Sequence, residues 1–267
     1  KNDLSERRKM TVDIEKRRVY AIVNFDALDQ NVQAMEEKLP QDVGMMAVIK
    51  TNAYGHGAKA IAKHLEDNDR ISGYAVATAE EALELRKAGI GKMILILGYV
   101  FEKDYEDLIL QDIRFGIYRK DVAQALDAAA EKCHKKALIH IKIDTGMHRI
   151  GYPVCQESVE EIKEIAGLKH LCLEGIFTHF ARADEKTIEP AREPFRKYIT
   201  FVEELEKRGV KIPIHHVSNS ASIIGFPEAN LDMVRSGITT YGLYPSDEVA
   251  KDVLVNNAGI TRDNLML

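Results

Sequence analysis

The chain has 267 residues of which 45% are apolar, enough to bury the core of one large domain or two small ones. Its 37 basic and 42 acidic residues nearly cancel to a net charge of -5, so nothing in the composition attracts a polyphosphate polymer, and nucleic acid is not an expected partner. No apolar run approaches the ~20 residues of a membrane-spanning helix, and the opening KNDLSERRKM has no apolar stretch of a secretory signal, so a soluble chain is expected. Cys133, Cys155 and Cys172 form no CxxC pair, which predicts neither a disulfide framework nor a zinc cluster and fits a reducing, cytoplasmic setting. Lysine stands first, so a processed or truncated chain is expected, with Met10 as plausible a start.

In chain order, VYAIVNF (19–25) predicts a strand and ALDQNVQAMEEKL (27–39) a helix, together a strand–helix arm over residues 1–43. Short β-branched runs then alternate with longer amphipathic stretches. Strands are predicted at 44–50, 73–78, 92–99, 113–118, 137–144, 172–180, 213–218 and 233–242. Helices are predicted between them, as at 78–89, 156–167 and 193–209, each apolar on one stripe and closed by glycine. Eight strand–helix units in roughly 200 residues predict an α/β fold, a parallel (β/α)8 barrel of the TIM type over 44–246, with its site at the carboxyl ends of the strands. An open doubly wound sheet would carry a glycine-rich turn after its first strand, and KTNAYGHG (50–57) has the wrong spacing for GxGxxG. No linker divides the barrel. The last stretch, 247–267, ends within a pattern that reads as strand then turn, and is expected to be a foreign or truncated tail.

Lys50 ends the first predicted strand. Its stem would lie in an apolar barrel and its amine at the mouth, where desolvation favours a nucleophilic amine able to form a Schiff base. The bland alternative is a lysine that snorkels to solvent. The motif KTNAYGHG, followed in order by IKIDTGMHRIG (141–151), EGIFTHFARAD (174–184), HHVSNSAS (215–222) and VRSGITTYGLYPS (234–246), resembles the alanine racemase family over about 220 residues.

That resemblance implies pyridoxal 5'-phosphate bound on Lys50, with Tyr54 touching its phosphate. It implies that Arg149 donates to the cofactor's phenolate oxygen and faces a substrate carboxylate. Lys142 matches a lysine that some members carbamylate to hold this arginine; a salt bridge to Asp144 is the ordinary alternative. His179 matches a histidine that packs on the pyridine ring, against the simpler reading of a hydrogen-bonded core residue. Asn219, Ser220, Gly237 and Ile238 follow the seventh and eighth strands, where barrels commonly hold phosphate. Arg235 resembles the arginine that faces the pyridine nitrogen and keeps it unprotonated, against a salt bridge to Asp232 or Glu228. His215 and His216 alternate sides of one strand and cannot both face one metal, so no metal site is assigned.

The expected reaction is racemisation of alanine, L to D, which supplies peptidoglycan synthesis in the family. Members carry a second, mostly β domain, which contributes a tyrosine from the partner subunit as the second catalytic base. This chain has no room for that domain, so impaired turnover is expected and the family's homodimer is put in question. A cofactor-binding barrel without racemase activity, or a racemase for another amino acid such as serine, are the alternatives. The tail KDVLVNNAGITRDNL (251–265) resembles a fragment of the short-chain ketoacyl reductases, without the GxGxxG region or YxxxK pair that reductase chemistry needs.

Overall fold

The computed structural model describes residues 21–255. Helix α1 (Phe25–Glu36) comes first, capped by Asn24, whose side chain accepts the N–H groups of Asp26 and Ala27. Next come β1 (Gly44–Val48), the single turn α2 (Lys50–Tyr54), α3 (Ala58–Leu65), β2 (Ile71–Val76), α4 (Ala79–Lys87) and β3 (Met93–Ile96). They are followed by α5 (Tyr105–Leu110), β4 (Arg114–Ile117), α6 (Lys120–Lys132), β5 (Ala137–Asp144), the two-residue β6 (Tyr152–Pro153) and α7 (Gln156–Ala166). The series ends with β7 (Leu171–Phe177), α8 (Glu189–Lys207), β8 (Ile214–His216), α9 (Ser220–Gly225), β9 (Met233–Ser236) and α10 (Asp247–Val255).

The strands pair in the order β8-β7-β5-β4-β3-β2-β1-β9, with β6 attached to β5 alone, and every pairing is parallel. The ring is drawn together between β8 and β9, where Asp232 N–H donates to His215 O and Arg235 N–H to Ser218 O, both at 3.1 Å. This is the expected TIM-type barrel.

Alternation along each strand sorts side chains between two environments. Met45 and Ala47 of β1 join the large apolar cluster that also takes in the helices, whereas Met46 and Val48 join a smaller one with Ala75, Leu95 and Met233 on the opposite face. Both faces are therefore covered, which is why parallel strands read as nearly unbroken apolar runs. The other side of the barrel is polar inside: His140 and Lys142 of β5, His216 of β8 and Arg235 of β9 are all buried.

Several boundaries differ from expectation. Residues 21–24 of the leading strand have no regular structure and Phe25 already belongs to α1, since no strand among the described residues pairs there; residues 19–20 lie outside them. β1 stops at Val48, two residues before Lys50, and 238–241 is a short 3-10 turn rather than strand. In the tail, Asp247–Val255 is helical, with Ser246 Oγ accepting Val249 N–H and acids in the first turn; the NNAG stretch lies outside the described residues. Among the described residues no helix is long and apolar enough to cross a membrane.

Candidate active site

Lys50 opens α2, and that turn winds the wrong way. Thr51, Asn52, Ala53 and Tyr54 all have φ between 54° and 56°, the left-handed region that costs an L-residue roughly 1–2 kcal/mol each. Ala53 N–H bonds Ile49 O at 2.8 Å and Gly55 N–H bonds Thr51 O at 3.2 Å, so it is a hydrogen-bonded left-handed helical turn. Gly55 (φ 94°) and Gly57 (φ 95°) let the chain leave it. Glu81 pins the turn: its carboxylate accepts Thr51 N–H at 2.5 Å and Ala77 N–H at 2.7 Å, joining the ends of β1 and β2. Sequence reasoning missed this residue. The signal was present in the TxxE spacing from Thr78, a capping box, but the glutamate is turned to another strand's end.

Beyond α2 a cleft of about 350 Å³ opens at the carboxyl ends of the strands. The residues singled out by sequence, Lys50, Tyr54, Lys142, Arg149, His179, Asn219, Ser220, Arg235, Gly237 and Ile238, all line it. Four of them are cations. Arg235 is almost wholly buried and takes no carboxylate among the described residues: Asp232 instead accepts His215 N–H, and Glu228 lies 4.0 Å from Arg192. Its Nη1 donates to His216 Nδ1 at 3.0 Å and His216 O at 2.6 Å, and its Nη2 to Thr178 O at 2.7 Å and Val217 O at 3.2 Å. Burial lowers this guanidinium to about 10.

Lys142 is also without the expected salt bridge. Asp144 Oδ1 accepts the N–H groups of Gly146, Met147 and His148, which fold the loop carrying Arg149 back over the end of β5. Gly151 (φ 139°) lets that loop pass, because a Cβ there would stand 2.6 Å from Asp144 N. The Lys142 amine lies 5.1 Å from the Phe177 ring centroid and 3.5 Å from Ile143 O. Burial first, then Arg235 and Arg149, lowers it from 10.5 to about 7. The same burial and cations hold His179 near 3, so its ring is neutral and it lines the cleft instead of filling the core.

The loops after β8 and β9 form a corner of small polar groups. Asn219 caps α9 by accepting Ser222 N–H at 3.1 Å, and the Ser220 hydroxyl accepts Gly237 N–H at 2.9 Å and the Thr239 hydroxyl at 3.0 Å. A Cβ on Gly237 would stand 3.1 Å from the Tyr54 hydroxyl, so glycine leaves that phenol room at the corner without a shift of its ring. Tyr241 lies behind, its ring 5.0 Å from Tyr54 and its hydroxyl given to Val48 O at 2.9 Å.

Comparison with known proteins adds lineage to this geometry. Residues 23–245 match the family described as alanine racemase, N-terminal domain. The alanine racemase of Methanococcus maripaludis is 43% identical over 236 residues, 88% of this chain and 62% of the relative. Alanine racemase 2 of Caldanaerobacter subterraneus subsp. tengcongensis is 44% identical over 86% of this chain and 59% of its own length. Among solved structures, the Clostridium difficile 630 alanine racemase in complex with cycloserine superposes with a TM-score of 0.84 at 44% identity, covering 86% of this chain and 63% of that one. The Bacillus anthracis alanine racemase with bound L-Ala-P gives 0.80 at 34%, covering 86% and 59%. The chain thus spans about three-fifths of the relatives it matches.

Proposed function

The chain belongs to the alanine racemase family through the N-terminal domain of its members, and on that premise we propose that it binds pyridoxal 5'-phosphate on Lys50 and interconverts L- and D-alanine. The observation that carries this reading is a cleft lined by four basic side chains, Lys50, Lys142, Arg149 and Arg235, none of which pairs with a carboxylate among the described residues. Such a cleft suits a ligand with several negative charges, and the corner of small polar groups around Ser220 and Gly237 suits a phosphate. When bound, the cofactor supplies a sink for the electrons released when the Cα proton of an amino acid leaves.

The chain's own residues do the rest. Lys50, held at the head of a strained turn, is the amine that bonds the cofactor and later carries a proton on one face of the substrate. Ser220, Gly237, Ile238 and Tyr54 hold the phosphate, with Asn219 capping the helix that presents Ser220. Arg149 would donate to the phenolate oxygen and to the substrate carboxylate. His179, neutral, packs on the ring. Arg235 has both Nη atoms committed to His216, Thr178 and Val217, which leaves Nε–H as the donor it would offer the ring nitrogen, a cation that would disfavour a proton there. Lys142, an amine near neutrality at pH 7, is suited to attack carbon dioxide; loss of the amine proton then leaves a carbamate anion between Arg149 and Arg235. The three free thiols fit a cytoplasmic setting.

A second reading is a cofactor-binding barrel with little turnover. It is favoured by Tyr241, which lies behind Tyr54 with its hydroxyl donated to Val48 O and is no free base. Both readings share one test. Purified protein should take up pyridoxal phosphate with visible absorbance, and borohydride reduction should fix the cofactor to Lys50 in the tryptic map. Lys50→Ala should lose both. A chain that stays colourless, or that is labelled at another lysine, sinks the assignment.

A further inference from the structure

A polar chain runs through the barrel interior, and the cleft uses only its inner end. His216 Nε2 lies 2.8 Å from His140 Nδ1, and His140 Nε2 lies 3.3 Å from Glu174 Oε2. Arg114 grips the same carboxylate twice, Nε to Oε2 at 2.9 Å and Nη2 to Oε1 at 3.1 Å. With the Arg235–His216 bond, the order is Arg235, His216, His140, Glu174, Arg114, contributed by β9, β8, β5, β7 and β4. Both histidines are 0% exposed. Gly175 makes room for the first, since a Cβ there would stand 2.3 Å from His140 Nδ1, and Phe177 stacks on the second at 4.8 Å and 10°.

The two ends dictate where every proton sits. A guanidinium has donors and no acceptor, and an ionised carboxylate has acceptors and no donor. His216 Nδ1 must therefore accept from Arg235, which puts the His216 proton on Nε2. That N–H must donate to His140 Nδ1, which puts the His140 proton on Nε2, aimed at Glu174. Both rings are neutral in this arrangement, in keeping with burial that lowers each below the ordinary histidine range. Burial would raise the Glu174 carboxyl, but His140 and Arg114 outweigh it and hold it at about 2. Reversing any link sets donor against donor or acceptor against acceptor, between rings that are wholly buried.

We propose that Glu174 is a positioning residue for Arg235, acting through His140 and His216: its carboxylate accepts the outermost N–H and so holds both rings in the Nε2–H form that Arg235 requires at its own end, with Nη1 donating to His216 Nδ1 and Nε–H left uncommitted. Only the last step, the use of that Nε–H, rests on the cofactor reading; the relay itself is a property of the chain without ligand. Arg114, by neutralising the outer end, is what keeps the carboxylate ionised there.

The test is long-range proton–nitrogen correlation of the histidine rings by NMR on cofactor-free protein, wild type against Glu174→Gln. Wild type should show His140 and His216 each with a protonated Nε2 and a bare Nδ1. In Glu174→Gln the acceptor of His140 Nε2–H becomes a neutral amide oxygen, so the ring nitrogen shifts of His140 should move, and through the His216 Nε2–H bond those of His216 should follow although it does not touch residue 174. A wild-type His216 or His140 protonated on Nδ1 overturns the proposal, and this arm stands even where the variant does not fold. A folded variant whose His216 is unchanged overturns it too. A wild type with both expected tautomers that takes up no pyridoxal phosphate supports the relay and sinks the functional reading, so the two failures are distinguishable.

Discussion

Lys142 is the residue whose neighbourhood sequence could least describe. It lies in a strand of isoleucines, and only the closed barrel brings Arg149 and Arg235 toward it while Asp144 turns away to hold a loop. Its amine titrates at about 7 in the fold against 10.5 ordinarily. Below pH 7 both folded and unfolded chains hold the proton, and the fold bears the full cost of a buried charge. Between 7 and 10.5 the unfolded chain binds more protons, so stability rises with pH, by up to about 1.4 kcal/mol per pH unit for one proton. Lys142→Met should therefore be more stable than the parent below pH 7, and its stability should lack that rise. Urea midpoints from about pH 6 to about pH 10 in bicarbonate-free buffer decide it. Parallel curves for the two proteins would mean that the amine keeps its ordinary titration.

At the scale of an element, the left-handed turn α2 stores strain beside Lys50, and two substitutions should act on it in opposite directions. Thr51 is exposed and β-branched at φ 56°, so Thr51→Gly relieves the conformation while adding freedom to the unfolded chain. The net expectation is a gain of about 0.5–1 kcal/mol in denaturation, with weaker cofactor retention because Lys50 is less well held. Glu81→Ala leaves the N–H groups of Thr51 and Ala77 without their acceptor and should cost about 1–3 kcal/mol. A loss of stability on Thr51→Gly comparable to that of Glu81→Ala would show that the threonine side chain, not the backbone hand, is what matters in the turn.

For the molecule as a whole, the expectation concerns proton traffic on the two faces of a substrate. On the proposed reading, inversion needs an acceptor on each, and Lys50 serves one. His179 is held near 3, and burial raises the phenol of Tyr241 well above its usual range. A positioned acid or base contributes ~10²–10⁴-fold to rate, so this 267-residue chain should invert alanine more slowly than a full-length relative by about that factor. Exchange of the α-hydrogen on the Lys50 face should survive better, because one amine can remove and return a proton without inverting the centre. Deuterium uptake into D- and L-alanine, followed beside optical rotation, separates the two. Inversion at full-length rates would place a second base within the chain, and Tyr241 and Tyr244 would be the first to replace.

Local pattern was sufficient for the barrel. Alternation of strand and helix periods, glycine closures such as Gly89 and Gly209 at positive φ, and the absence of a nucleotide-binding turn all depend on residues close in the chain. The ordered motifs also placed Lys50, Tyr54, Arg149, Ser220, Arg235 and Gly237 at strand ends, because in a parallel barrel every carboxyl end faces the same mouth. Three things were decided only by tertiary structure. The hand of the turn after Lys50 is imposed by Glu81, thirty residues on, against the preference of four non-glycine residues. The ends of strands, as at Val48, are set by where the partner strand stops pairing rather than by where apolar residues stop. The relay from Arg235 to Glu174 joins residues up to 76 apart, and no spacing in the sequence records it, because neighbours across a barrel are chosen by closure of the sheet and not by distance along the chain.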